Sequence, residues 1–493
     1  MSKELYNKFI LTKEAGNIIY DGIEFGRDEI DRRILEISKI LTADIVNLSQ
    51  EAVAISCNKK INFFFLFLVV NCCDGVVMPV YARTPENKLQ HICERYDINY
   101  MVSDHEINLV GYSLIYHGSV FSEEYFIYEC NKSFPKHEEL KGIELLMLSS
   151  GTTGVSKAIS LSLDNILSNT RSIQKYIIPT REDRCLIIKE ITHSSSLISE
   201  LINSLLSKNS VLLSDLIPTV SSLGYLISTY GVTILYAIPD FLLFMNSIKF
   251  INNYRQLLGK LRLVQVVGAF CPPNYITDFH KNWPKIDLFN GYGLTEASPR
   301  VAVLGGEELY ANPRCVGYPI SGVGVHIDTS SNNTQEGEIC VTGPNIMVEY
   351  YLNEELTSKI KIGGMLRTGD IGYFDDKNRL YILGRKDNRY IKSGKNIFPE
   401  EIESVVRKLP FISEVIVYPK IESGRLISIL EYTICNDEEK DLNQEASEII
   451  KLCKDNLEDY KIPDQYRKVK NIPHTSTGKV KRDRNNYYNE ITL

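Results

Sequence analysis

At 493 residues the chain is too long for one ordinary hydrophobic core, so two or three domains are expected. Hydrophobic residues at 44% and charged residues at 24% fit a soluble globular protein, and a net charge of −7 lacks the basic excess of a nucleic-acid binder. The 11 cysteines show no matched CxxC pairs, which argues against zinc and disulfide frameworks and for reduced thiols in a cytoplasmic protein.

Residues 1–16 mix charges with short apolar pieces and lack a signal-peptide core. Residues 27–41 carry helical periodicity. The most apolar run, Phe63–Val70 between Asn62 and Asn71, falls far short of the roughly 20 residues of a membrane span. It reads as a buried helix, and no span is expected. Gly75–Tyr81 reads as a buried strand and 85–96 as a helix. The runs Leu145–Leu148, Leu186–Ile188, Val211–Leu213, Val232–Leu235 and Leu263–Val267 have strand length and alternate with helical patterns. That alternation predicts an α/β fold with largely parallel sheet.

Past about residue 300 short strands with Gly and Asn turns follow: Val323–Asp328, Gly337–Thr342, Gly372–Phe374 and Leu380–Leu383. They predict an antiparallel or barrel-like subregion. From Asp387 a strand, a helix over Pro399–Lys408, a strand pair and a helix over Gln444–Leu457 predict a small α+β domain. The charged stretch Asp437–Asp441 reads as a solvated loop. The expected division is 1–383, a hinge at 384–388 where Gly, Arg, Lys and Asp interrupt the apolar pattern, and 389–493.

Chemistry enters at Ser149-Ser150-Gly151-Thr152-Thr153-Gly154-Val155-Ser156-Lys157, directly after a predicted strand. Glycines let the backbone turn its N–H groups toward an anion, four hydroxyls add donors, and Lys157 adds charge. The spacing differs from GxxxxGK[ST], so this is a polyphosphate cradle of another kind.

The segment resembles the signature loop of the adenylate-forming superfamily, which includes acyl-CoA and aryl-CoA synthetases, firefly luciferase and peptide-synthetase adenylation domains. It departs from that family's usual Pro-Lys-Gly at Ser156 and Ala158. Four further segments match in order. Asn290-Gly291-Tyr292-Gly293-Leu294-Thr295-Glu296 resembles the adenine and magnesium motif. The resemblance places Gly291 and Tyr292 against adenine, Thr295 at the α-phosphate and Glu296 on Mg²⁺. Leu366-Arg367-Thr368-Gly369-Asp370 resembles the ribose motif, with Asp370 taking both ribose hydroxyls. Gly384-Arg385-Lys386-Asp387 and the run from Lys392 to Glu403 resemble the hinge and the start of a mobile C-terminal domain. Arg385 is then a ribose ligand, Asp387 the pivot, and Gly394 part of the thiol's route. Ile472 to Arg482 resembles the catalytic loop, with Lys479 completing adenylation.

By the same resemblance, Ile191–Leu197 forms the substrate segment, with His193 at the pocket mouth. Ser194 stands where amino-acid-activating members carry aspartate, so an α-amino acid is disfavoured. Val267, Gly268 and Ala269 are expected in an apolar pocket wall; Arg300, near the adenine motif, is open to a contact with a second substrate carboxylate, and a surface position is expected ahead of it. The implied activity is an ATP- and Mg²⁺-dependent acid–thiol ligase that forms an acyl-AMP and passes it to coenzyme A. The alternative acceptor is a phosphopantetheinyl carrier protein. Only 14 residues follow Lys479, so either thiol is expected from a separate molecule. An inactive nucleotide-binding homologue is the competing class. Degeneration would strike Lys479, Glu296 or Asp370 first, and all three are present.

Overall fold

The computed structural model describes residues 16–42, 47–149, 156–330, 335–392, 395–422, 425–435 and 442–474. The body holds two large sheets. In the nine-stranded one, six neighbouring strands run parallel: Asp287–Gly293, Leu263–Val266, Ile234–Ala237, Arg184–Ile187, Ser210–Leu213 and Ile18–Tyr20. Antiparallel strands flank them, Arg300–Gly305 on one side and Ile23–Phe25 on the other. The eight-stranded sheet has a parallel centre in Ala52–Ser56, Val76–Val80 and Tyr100–Ser103. Its flanks are antiparallel, including the hairpin Tyr112–Val120 and Glu123–Cys130.

The run Phe63–Val70 lies in the helix Lys60–Cys72, buried from Ile61 to Asn71. A helix that is apolar all round needs a core on every side. This one packs in a single cluster with Val53, Ile55 and Val77 of one sheet and Ile187, Val211 and Leu213 of the other. The outer face of the nine-stranded sheet is covered by Val220–Tyr230, Pro239–Asn246 and Pro273–Asn282 through Leu223, Phe241 and Phe279. The body is therefore layered, as the alternating pattern predicts. Among the described residues no helix is long and apolar enough to cross a membrane.

An antiparallel five-stranded sheet follows, in which Gly324–Asp328, Gly337–Thr342, Met365–Phe374 and Leu380–Arg385 pair in turn. The expected strand Gly372–Phe374 is the end of the much longer Met365–Phe374. The expected strand Val232–Leu235 begins later, at Ile234, because the Val232 amide still donates to the Ile227 carbonyl of the preceding helix. The C-terminal part packs Pro399–Val406 and Leu442–Asn456 on Ile412–Glu422, Arg425–Ile434 and Gln465–Lys468, with Ile402, Val417, Leu430 and Ile449 in its core. The stretch Asp437–Asp441 lies outside the described residues.

Candidate active site

The carboxyl ends of the parallel strands in the nine-stranded sheet lead into Ser194, Val267, Tyr292 and Thr295, where open α/β sheets bind ligands. Val266 pairs with Asn290, so the wall Val267–Ala269 leaves its strand beside Gly291 and Tyr292. Val267 is buried, whereas Gly268 and Ala269 are exposed and Gly268 has φ +92°. Gly293 admits no side chain, because a Cβ there would lie 1.8 Å from the Pro299 carbonyl oxygen.

Thr295, Glu296 and Ala297 form one tight helical turn. Asn345 Nδ2 donates to the Ala297 carbonyl at 2.8 Å and Met347 N to the Glu296 carbonyl at 2.9 Å, fixing the turn from outside. The Thr295 and Ser194 hydroxyls lie 3.1 Å apart, which joins the expected substrate segment to the expected magnesium motif. Ser194 is buried at the start of a π-helical stretch, Ser195–Ile202, and His193 just before it is exposed. Such π-helical irregularities recur at functional sites.

Tyr350, which the motifs did not single out, ties two of them together. Its hydroxyl donates to Glu296 Oε1 at 2.8 Å, and Lys157 Nζ sits 5.2 Å from its ring centre. Burial first, and then Glu296, push the Tyr350 phenol well above its ordinary pKa, so it stays a donor. Its strand, Glu349–Tyr350, pairs with Lys157–Ser162. Tyr350 was invisible in the sequence because only tertiary pairing brings it to the loop. Ser149 is the register partner of Lys157, so the two ends of the expected phosphate-binding segment lie side by side. Ser150, Gly151, Thr152, Thr153 and Gly154 of that loop lie outside the described residues, as do Gly394 and Lys479.

Asp370 and Arg385 are cross-strand partners, and Arg385 Nη1 bonds Asp370 Oδ1 at 3.0 Å. Tyr292 donates to Asp370 Oδ2 at 2.5 Å, bringing the expected adenine and ribose motifs to one carboxylate. Gly369, at φ +74°, makes the turn that presents Asp370; a Cβ there would come 2.9 Å from Arg385 Nη2. Glu338, another residue the motifs did not mark, accepts from Arg367 at 2.5 Å, Lys386 at 2.9 Å and the Gly369 amide at 3.2 Å. Burial alone would raise its pKa, but these cations hold it below the usual carboxylate range. Asp387 beside it is exposed, 4.0 Å from Arg385.

The donor set suits a nucleoside triphosphate with Mg²⁺. Glu296 offers a hard carboxylate oxygen, Thr295 a hydroxyl, Lys157 a cation, and Asp370 with Arg385 a polar grip for a sugar.

The expectation of a surface Arg300 is overturned. Only 2% of the residue is exposed: its strand pairs it with Gly293, Asn169 bonds both its backbone N and O, and its Nη2 donates to the Ser195 hydroxyl at 3.3 Å.

The comparisons agree with this architecture. The family model described as AMP-binding enzyme matches residues 12–351, and that described as AMP-binding enzyme C-terminal domain matches 401–479. The chain belongs to the AMP-binding enzyme family, the adenylate-forming class. It is 28% identical over 351 residues to a 2-succinylbenzoate–CoA ligase of Bacillus velezensis (strain DSM 23117 / BGSC 10A6 / LMG 26770 / FZB42), covering 69% of this chain and 68% of that one. A Staphylococcus epidermidis (strain ATCC 35984 / DSM 28319 / BCRC 17069 / CCUG 31568 / BM 3577 / RP62A) protein of the same name is 24% identical over 472 residues, covering 94% and 93%. The fold is similar to that of the Bacillus subtilis o-succinylbenzoate CoA synthetase with its acyl-adenylate intermediate, at TM-score 0.83, 20% identity and coverage of 99% and 98%. It is also similar to ATP-bound MatB from Rhodopseudomonas palustris, at TM-score 0.79, 19% identity and coverage of 98% and 97%.

Proposed function

We propose that this protein is an AMP-forming acid–thiol ligase, which activates a carboxylic acid as acyl-AMP and transfers the acyl group to coenzyme A. The observation that carries this reading is the convergence of Lys157, Tyr350 and Glu296 with Thr295 and Ser194. A cation, a carboxylate suited to Mg²⁺ and the segment read as the substrate segment meet there, which supports this reading. The names of the relatives, acid–CoA ligases, supply the acceptor.

In the first step the acid's carboxylate attacks the α-phosphate of ATP and pyrophosphate leaves. Positioning and charge stabilisation are the protein's contribution. Glu296 would hold Mg²⁺, which neutralises phosphate charge. Asp370 and Arg385 would hold the ribose, Gly291 and Tyr292 the adenine, and Lys157 with the loop Ser149–Gly154 the phosphates. Lys479 would bridge carboxylate and α-phosphate as charge grows. In the second step the thiol arrives past Gly394 after residues 389–493 turn about Asp387 relative to 1–383, a population shift set by differential contacts. His193 would line the entrance. A cytoplasmic site of action follows from the ATP and coenzyme A supply.

ATP–pyrophosphate exchange across a panel of carboxylic acids, including 2-succinylbenzoate, tests the first step. Mass detection of the thioester with coenzyme A and with a phosphopantetheinyl carrier protein tests the second. Exchange with at least one acid and thioester on coenzyme A are expected; ATP binding without exchange for any acid would overturn the reading.

A further inference from the structure

We propose that Tyr96 is a positioning residue for Lys157, holding the backbone on both sides of that cation so that it meets the phosphates of ATP. This rests on the reading of Lys157 as a phosphate ligand and names the side chain that aims it.

Tyr96 follows the helix Glu86–Arg95 and is buried, 60 positions before Ser156 in the chain. Its hydroxyl donates to the Ser156 carbonyl at 2.6 Å and accepts from the Ala158 amide at 3.1 Å. One oxygen atom thus straddles Lys157. In an extended chain the carbonyl before a residue and the amide after it point to the same edge. That edge of Lys157–Ser162 is paired with Glu349–Tyr350, and the pairing ends where the Tyr351 amide donates to the Ala158 carbonyl at 2.8 Å. Leu352, at φ +53°, then turns the neighbouring strand away. The phenol continues the bonding past that point, so the edge stays held as far as Ser156. Ser156 lacks the ring with which a proline would fix φ, and the bond to Tyr96 supplies a restraint in its place.

Side chains alternate along a strand, which puts the clamp and the cation on opposite faces. Ala158 packs in one cluster with Tyr96 and Tyr351, whereas Ile159 packs in another with Tyr350. Lys157 shares the face of Ile159, and its Nζ lies by the Tyr350 ring, whose hydroxyl bonds Glu296. Tyr96 therefore acts on the candidate site through the backbone.

The clamp is itself braced. The Tyr96 ring stacks on Tyr351 at 6.1 Å, and the His137 ring meets Tyr351 edge-on at 5.8 Å. His137 Nε2 is hydrogen-bonded to Asp97 Oδ2 at 2.9 Å, one residue beyond Tyr96, which closes a circle of contacts. Burial above all keeps the Tyr96 phenol above its ordinary pKa, so it retains the proton it gives to Ser156. The Tyr351 hydroxyl, buried in the same cluster, has no hydrogen-bond partner among the described residues. Packing of these rings thus does not depend on a bonded hydroxyl, and the one on Tyr96 is committed to the flanks of Lys157.

The test uses the full chain and an acid that the wild type activates, with ATP–pyrophosphate exchange and calorimetric binding of ATP and of adenosine. Tyr96→Phe should raise KM for ATP about tenfold, with kcat and the KM for the acid within about threefold. ATP affinity should fall by a similar factor while adenosine affinity holds, because only the phosphates meet Lys157. In a Lys157→Met background Tyr96→Phe should add less than about twofold, since both changes remove one contact. Tyr351→Phe, which removes the unpartnered hydroxyl, should leave these values as in the wild type. Tyr96→His, whose ring ends short of Ser156, should show the same selective loss and serves if the phenylalanine variant does not fold. An unchanged KM for ATP, equal weakening of ATP and adenosine, or an undiminished effect in the Lys157→Met background overturns the proposal and leaves the ligase reading standing. Absence of exchange with every acid overturns both.

Discussion

Tyr292 and Asp370, 78 positions apart in the chain, are joined directly, the phenol donating to Oδ2 at 2.5 Å. Burial foremost, and then the neighbouring carboxylate, push the Tyr292 phenol far above its ordinary pKa. It therefore remains a donor throughout the physiological range. Tyr292→Phe removes one of two side chains that aim Asp370 and should raise KM for ATP about tenfold, with kcat within about threefold, since a hydrogen bond to a charged group contributes about 1.5–3 kcal/mol. An unchanged KM in exchange assays would count against Asp370 as the ribose acceptor.

Glu296 and Tyr350 share a second such bond, at 2.8 Å. Glu296→Gln should lower exchange by about 100-fold, with partial recovery at high Mg²⁺ or Mn²⁺. Tyr350→Phe leaves the carboxylate in place but less firmly aimed. It should cost about tenfold and shift the Mg²⁺ titration to higher concentration. A Tyr350→Phe enzyme with an unmoved Mg²⁺ titration would show that the bond serves packing alone.

The two half-reactions should separate by mutation. Lys479→Ala is expected to abolish adenylation while thioester formation from supplied acyl-AMP persists. Asp387→Pro, which fixes φ at the pivot, should impair chiefly the thiol step. Single-turnover measurements of each half-reaction decide this; equal loss of both in either variant contradicts the assignment.

Stability should depend on acid pH through Asp183, far from the active site. Its carboxylate is buried, which alone would raise its pKa. Arg262 at 2.8 Å, the Thr180 amide at 2.7 Å and the Thr233 hydroxyl at 2.7 Å outweigh this and hold it below the usual carboxylate range. A depressed folded-state pKa means the contribution is full above the unfolded value near about 4 and fades as pH falls through the folded one. Asp183→Asn should therefore cost about 2 kcal/mol at pH 7, a figure discounted because Arg262 is partly solvated, and less as pH falls below the unfolded value. Thermal unfolding on either side of that value checks the sign.

The continuous apolar run identified the buried helix over Phe63–Val70, and the alternation of runs pointed to the parallel sheet, because burial on both faces writes continuous apolar stretches. The hairpin Tyr112–Val120 with Glu123–Cys130 escaped notice for a physical reason. Its turn is made by Phe121 at φ +53° and Ser122 at φ +66°, in place of the Asn or Gly that signals such turns. The ordered motifs named Tyr292, Thr295, Glu296, Asp370 and Arg385, which the fold brings together around two carboxylates. Tyr350, Glu338 and the burial of Arg300 were beyond reach of any local pattern, since each acts through partners distant in the chain.

Glu338 has one more implication. It clasps Lys386 Nζ at 2.9 Å, and the Lys386 amide is tied to the Gly369 carbonyl at 2.7 Å, so the polypeptide is moored to the body up to that residue. On the other side, Asn388 is fastened to Glu400 at 2.5 Å. Between these two moorings lies exposed Asp387, spanned by a turn in which the Asn388 and Arg389 amides donate to the Arg385 carbonyl at 3.1 and 3.2 Å. The proposed swing about Asp387 would therefore have to open that one turn, and lengthening the chain there should let the two halves drift out of step while each stays folded.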